Sequence, residues 1–338
     1  MIIHYKNHDE MKRQFLPNNN EQTHLVLIIM CLLIVSCNQK NYNNVAYRIS
    51  EKDLIPEGIT YSSTTSSFYL SSIYKTKIVQ INAETGEFKD FIPSDLLNLS
   101  FLGLFADETR NHLWACGNMT QNGKTLSMVS KFNLISGELL KSYSFNDTVA
   151  HTYNDLAEDG AGHIYFTDSD NQCVYKIDSQ TDSVSIFFEG IEITHPNGIA
   201  IAPDHKFLYI ASNDKGIRVM DIEQREIIGE PDTLIDSRGI DGLKYYRNSL
   251  IGIQNEVKTR SEVKIAQYFL DNTGTQITGM KIIDQNNPDF DIPTTFTIVR
   301  NHLYCLANSQ LWNINFSERK IYNPEELKEI LILRYRIN

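Results

Sequence analysis

The sequence predicts an all-β fold, a six-bladed β-propeller, and three observations carry that prediction. A short register recurs along the chain as "EGITY" (57–61), "LGLFA" (102–106), "NDLAE" (154–158), "NGIAI" (197–201), "DGLKY" (241–245) and "TTFTI" (294–298), at spacings of 45, 52, 43, 44 and 53 residues. A second apolar segment follows each at an offset of 10–12 residues, inside "FYL", "LWA", "IYF", "LYI", "LIG" and "LYC". Apart from a short "NPEELKEIL" near the end, no stretch sustains a helical period. Units of strand and turn repeating every 40–50 residues are what radial repetition produces.

Each unit can be justified element by element. The first strand begins just after the register position, and turn formers such as "SSTTSS", "DETRN", "DGAG" and "APDHK" separate it from the second. A third segment alternates apolar and polar residues with the period of a strand before a Gly, Asp or Glu turn. It reads "KIVQINAETGE", "MVSKFNLISGE", "CVYKIDSQTD", "IRVMDIEQRE", "KIAQYFLDNTG" and, in the last unit, "LWNINFSER" (311–319). A solenoid of this length would need polar caps, and none is visible. A closed ring is therefore expected, with segment 44–52 adding an outer strand to the last blade. A ring with short outer edges is self-sufficient, which predicts a monomer.

Composition narrows the function. The chain has 338 residues and a net charge of −11, which lacks the basic footprint a nucleic-acid partner requires. Residues 25–36, "LVLIIMCLLIVS", form an apolar run too short to span a bilayer but suited to a signal-peptide core, with Lys12 and Arg13 before it. The run ends in "IVSC", which resembles a bacterial lipobox. The expected organisation is a lipoprotein signal peptide over 1–36, a polar tether over 37–50 carrying the lipid on Cys37, and a propeller over 51–338. The localisation that follows is the bacterial cell envelope, periplasm or outer membrane, with membrane contact through that lipid. Cys116, Cys173 and Cys305 lie in strand-like runs and are expected to be buried free thiols, not a disulfide framework.

In a propeller, equivalent positions of the innermost strands converge on the central channel. The six register residues are Glu57, Leu102, Asn154, Asn197, Asp241 and Thr294. Glu57, Asn154, Asn197 and Asp241 together would supply two carboxylates and two amide oxygens around one axis. Ca²⁺ prefers such all-oxygen sites, completing about six to eight ligands with water; Mg²⁺, Mn²⁺ and Zn²⁺ are alternatives. Asp155 directly follows Asn154 and is placed to orient a ligand from behind. Thr152, His151 and His195 precede the two asparagines, where such residues would contact substrate or shuttle protons. No "GxSxG" occurs and no cysteine holds the register, so a nucleophilic Ser or Cys has no support.

The stretches "PEGITY", "YNDLAEDGAGHIYFTDS", "HPNGIAIAPDHKFLYIAS" and "RGIDGLKYYRNSLIGI" resemble the gluconolactonase and regucalcin (senescence-marker) six-bladed propellers, over about residues 50–315. The resemblance implies one divalent metal, usually Ca²⁺, bound by Glu57, Asn154, Asn197 and Asp241. It also implies a catalytic role for Asp241 as the base that activates water against a lactone carbonyl. The expected function is thus a metal-dependent hydrolase of a small lactone or related ester, with a non-catalytic binding propeller as the alternative. Three departures bear on substrate. Ile59 and Tyr61 replace the family's frequent Pro and Trp at the first site, Thr152 stands where sugar-lactone enzymes commonly place an Arg, and Leu102 stands where paraoxonase-like relatives carry a His.

Overall fold

The computed structural model describes residues 44–338 except 122–123, 146–148, 232–233, 256–261 and 317. The leader 1–36, Cys37 and the first part of the tether lie outside the described residues. What is described forms six four-stranded antiparallel sheets. Five are continuous meanders, with first strands Ile59–Ser62, Ser100–Asp107, Tyr153–Glu158, Pro196–Ile201 and Ile240–Tyr245. The sixth contains Phe296–Val299, His302–Leu306 and Ile330–Arg336, and takes its outer strand, Val45–Ile49, from the start of the described chain. That swap ties the first described residues to the last sheet and closes the ring, as segment 44–52 foreshadows. The propeller therefore begins at Val45, within the stretch assigned to the tether.

Each pair of neighbouring blades shares its own apolar cluster. Phe101, Leu104 and Phe132 meet Tyr69 and Ile78 between blades 1 and 2, and Ile253, Ile265, Phe296 and Leu333 meet between blades 5 and 6. The closing interface between blades 6 and 1 is as apolar as the others, with Ile49, Phe68, Leu70, Ile330 and Ile332 all buried. Alternation along each strand puts one set of residues toward one neighbour and the other set toward the next. Both faces are thus buried, and the middle strands read as nearly continuous apolar runs. Cys116, Cys173 and Cys305 are buried free thiols.

The last unit departs from the sequence expectation. "LWNINFSER" is not the third strand of blade 6. It forms a 3-10 turn, Leu311–Asn313, and the first arm of a two-stranded hairpin, Ile314–Asn315 with Lys320–Ile321. "NPEELKEIL" is not a helix either: one 3-10 turn, Pro324–Glu326, precedes the true third strand, Ile330–Arg336. The apolar spacing of Leu311, Ile314 and Ile321 serves a different surface. Ile314, Ile321 and Leu327 pack on Ile55 and Ile73 of blade 1, so this insertion folds over one end of the channel.

Ile49 anchors the closing strand with no exposed surface. Ile49→Ala is expected to cost about 2–5 kcal/mol, as for other fully buried large-to-small changes, read as a lowered midpoint in urea denaturation with an unchanged slope.

Candidate metal centre

The register residues reach the channel because of a local irregularity in the inner strands. In blades 2 to 5 the ladder between first and second strands breaks at the register residue and its successor, and resumes two residues later. The unpaired dipeptides are Leu102-Gly103, Asn154-Asp155, Asn197-Gly198 and Asp241-Gly242. Such a bulge bends the strand and re-aims a side chain. In blades 1 and 6 the corresponding pairs, Glu57-Gly58 and Thr294-Thr295, lie just before the first strand.

In four of the six blades the residue after the register position is Gly, for a steric reason. A Cβ on Gly198 would stand 2.3 Å from the Asp241 carbonyl oxygen, and one on Gly103 2.5 Å from that of Asn154. At these glycines the adjacent inner strands come too close for a side chain, whereas blade 3 carries Asp155 at the equivalent position. Blade 6 solves the same problem with hydroxyls: Thr294 Oγ1 and Thr295 Oγ1 donate to the Glu57 carbonyl at 2.8 and 2.7 Å, joining the last blade to the first.

Glu57, Asn154, Asn197 and Asp241 form the floor of one pocket of about 420 Å³. Glu57, Asn154 and Asp241 are buried, at 5%, 8% and 7% exposure. Glu57 Oε2, Asn154 Oδ1 and Asn197 Oδ1 are enclosed and accept no hydrogen bond from any described residue. The amide of Asn154 is held in one orientation by a chain of donors. Ser169 Oγ donates to the Pro196 carbonyl at 2.7 Å, so it must accept from Asn154 Nδ2, 3.1 Å away. That leaves Asn154 Oδ1 toward the pocket. Asn255 Nδ2 fixes the Asp241 carboxylate, donating to its Oδ2 at 2.6 Å and to the Pro293 carbonyl at 2.8 Å.

Buried acceptors without donors are costly unless something positive sits among them. The same conflict shows in the protonation of Glu57: burial, then the nearby Asp241 and Asp155 carboxylates, raise its carboxyl well above the usual range, with Lys244 opposing them. Two carboxylates and two amide oxygens, converging with three enclosed oxygens unsatisfied, fit a hard divalent cation.

The other expected site residues fall into two groups. Thr152 lines the pocket, its hydroxyl donating to Asp170 Oδ2 at 2.6 Å. Asp155 is buried and does not itself line the pocket. Asp155 Oδ2 accepts from Lys244 Nζ at 3.0 Å, and Oδ1 accepts the Leu156 amide at 2.9 Å. The two histidines do not line the pocket. His151 is buried with Nδ1 2.6 Å from Asp168 Oδ2, and its carbonyl accepts from Ser127 Oγ, so it ties blade 3 to blade 2. The His195 side chain is 68% exposed, with Nδ1 4.0 Å from Asp214. Neither histidine is among the residues that line the pocket, so the expectation of a substrate contact or proton shuttle there is corrected for both.

Several residues in or near the pocket gave no sequence signal. Lys244, which lies behind the floor and not among the pocket's lining residues, reaches the Asp155 carboxylate 89 positions earlier. Leu311, Ile314, Phe316 and Arg319 come from the insertion of blade 6 and form a wall, facing Ile73, Leu102 and Met119. Two of the four bulges, Asn197-Gly198 and Asp241-Gly242, are visible in the sequence as a polar residue followed by Gly.

These features define a class of protein: a closed six-bladed propeller with an oxygen-lined axial pocket. Residues 55–244, more than half of the chain, match the SMP-30/gluconolactonase/LRE-like region, and the chain belongs to that family. No curated protein matches the sequence. Among solved structures, a gluconolactonase from Xanthomonas campestris superposes with a TM-score of 0.57 at 14% identity, over 86% of this chain and 91% of its own. Regucalcin from Agrobacterium tumefaciens gives a TM-score of 0.57 at 13% identity, over 87% and 96%. Virginiamycin B lyase from Staphylococcus aureus gives 0.55 at 16%, over 76% and 79%. At these identities the likeness shows the shared propeller fold.

Two outcomes test the site. Adding Ca²⁺ to chelator-treated protein should raise the melting temperature, with a gain of about 2.7 kcal/mol at a hundredfold excess over Kd, and Asn154→Ala should lose most of that shift. In metal-free protein the raised Glu57 value means the folded state holds a proton that the unfolded chain releases. The stability it contributes is present below the ordinary carboxylate value and is lost as pH rises through the folded one. Melting curves of metal-free wild type should therefore gain more on acidification than those of Glu57→Gln.

Proposed function

We propose that the protein is a divalent-metal-dependent hydrolase of a lactone or related ester, with Ca²⁺ on the floor formed by Glu57, Asn154, Asn197 and Asp241. The observation that carries this reading is the set of enclosed oxygens, from separate blades, that line one pocket without a donor among the described residues. The gluconolactonase and calcium-binding regucalcin among the structural neighbours support it. A bound divalent cation would polarise the substrate carbonyl and stabilise negative charge developing on its oxygen.

The chain's own residues account for the rest. Asp241, oriented by Asn255, takes a proton as water adds to the carbonyl carbon. It returns that proton to the alkoxide when the acyl–oxygen bond breaks, giving a hydroxy acid. Glu57 supplies the second negative charge that retains the cation, and Asn154 and Asn197 complete the floor without adding more. Ile73, Leu102 and Met119 hold the apolar part of the substrate and keep bulk water from the reacting carbon. Thr152 presents a hydroxyl already engaged with Asp170, so a sugar-acid contact through an arginine at that position is not available here.

Assay of a lactone panel with calcium and with chelator tests the proposal. Hydrolysis should be lost with chelator and restored by Ca²⁺, and Asp241→Asn should lower kcat by about 10²–10⁴, the range for loss of a general base. Calcium-dependent stabilisation with no turnover of any lactone would instead identify a non-catalytic, ligand-binding propeller, the reading that Leu102 and Thr152 favour.

The same proposal places the protein on the bacterial envelope through a lipid on Cys37, as a monomer acting on a small molecule. Labelled palmitate should enter the full-length chain expressed in bacteria, and Cys37→Ser should abolish the label and release the protein from the membrane fraction.

A further inference from the structure

The insertion of blade 6 gives this pocket a wall of unusual character. Leu311 and Ile314 present aliphatic surface to it, Phe316 adds an aromatic ring that is 58% exposed, and Arg319 follows at its edge. Arg319 is the only cationic side chain lining the pocket among the described residues. Its backbone is left-handed, with φ +50°, at the turn of the hairpin whose arms are Ile314–Asn315 and Lys320–Ile321. Ile314 and Ile321 are buried against Ile55 and Ile73, so the hairpin is seated on blade 1.

The guanidinium forms no hydrogen bond or ion pair with any described residue. The nearby basic groups are already committed: Lys75 pairs with Asp53 at 2.7 Å, and Lys244 with Asp155 at 3.0 Å. In a chain of net charge −11, an unpaired arginine beside an acidic pocket is a site for an anion brought in from outside. Guanidinium matches a carboxylate in a planar, two-bonded fork. Thr152, on blade 3, offers no such group.

We infer that Arg319 is the specificity-determining residue of this pocket, and that the molecule it selects carries a carboxylate beside an apolar or aromatic arm. The arm lies against Leu311, Ile314 and Phe316 while its carboxylate meets Arg319, which leaves the reacting carbonyl to the oxygen-lined floor. The term substrate rests on the hydrolase reading above; recognition of the carboxylate does not.

The test therefore has a binding arm and a turnover arm. Calorimetry on the calcium-loaded full chain compares 3-phenylpropanoate with 3-phenylpropanamide, for wild type, Arg319→Gln and Arg319→Lys. Wild type should favour the carboxylate, Arg319→Gln should lose about 10- to 100-fold of that preference, and Arg319→Lys should recover part of it. Calcium-dependent melting shifts should stay as in wild type in both variants, which shows that the floor is intact. In the turnover arm, a γ-lactone bearing an aryl group and a free carboxylate is compared with its neutral carboxamide. Arg319→Gln should raise KM for the first and leave kcat unchanged. An equal carboxylate-to-amide ratio in wild type and Arg319→Gln overturns the inference even if both lactones are hydrolysed. A lost ratio with no hydrolysis by any variant overturns the hydrolase reading and keeps this one.

Discussion

The close approach of the inner strands around the axis is the constraint on which the rest depends. At one point in each blade the backbone runs within van der Waals contact of the next blade's carbonyl, as at Gly103 against Asn154 and Gly198 against Asp241. A side chain at either of these glycines would force the strands apart. Because the ladder also breaks at these dipeptides, the preceding residue turns out of the sheet plane and toward the channel. One local irregularity therefore does two things: it lets the blades meet, and it aims Asn154, Asn197 and Asp241 at a common point. The threonine pair of blade 6, bonded to the Glu57 carbonyl, extends the same contact across the closure.

That geometry concentrates negative charge where water is scarce. Glu57, Asp155 and Asp241 are all buried, and only Lys244 among them is basic. The lysine settles one carboxylate of the three, Asp155, through a direct ion pair. Asp155 occupies the position that is Gly in four blades and Thr in another, so its partner must come from elsewhere in the ring. With Asp155 satisfied, the charge of Glu57 and Asp241 is left for whatever enters the pocket above. The division suits a site that holds a cation by two charges and two amide dipoles.

The pocket's chemistry above the floor comes from one interruption of the repeat. Between the second and third strands of blade 6 the chain leaves the sheet, packs Ile314, Ile321 and Leu327 on blade 1, and returns as Ile330–Arg336. The floor is a property of the repeat and the wall a property of the insertion. Changes in the insertion can therefore alter what the pocket accepts without disturbing the ring beneath it, whose own stability rests on the six inter-blade clusters.

The sequence by itself determined the number of blades, the closure by the first strand, the three buried thiols and the four floor residues. All of these rest on features that repeat: period-2 alternation, turn residues, and a register whose polar members recur at one place. Repetition converts weak local signals into a strong one, because each unit must pack against the next in the same way. What did not repeat was decided only by the tertiary structure. "LWNINFSER" has the alternation of a strand, yet its Leu311 and Ile314 pack with Ile55 and Ile73 rather than in the sheet. His151 and His195 stand near the asparagines in the chain, but neither lines the pocket: one is buried against Asp168 and the other is exposed to solvent. Lys244 and Asp155, and Arg319 with the floor, are brought together from distant positions, and no local pattern encodes a contact that exists only once the ring has closed.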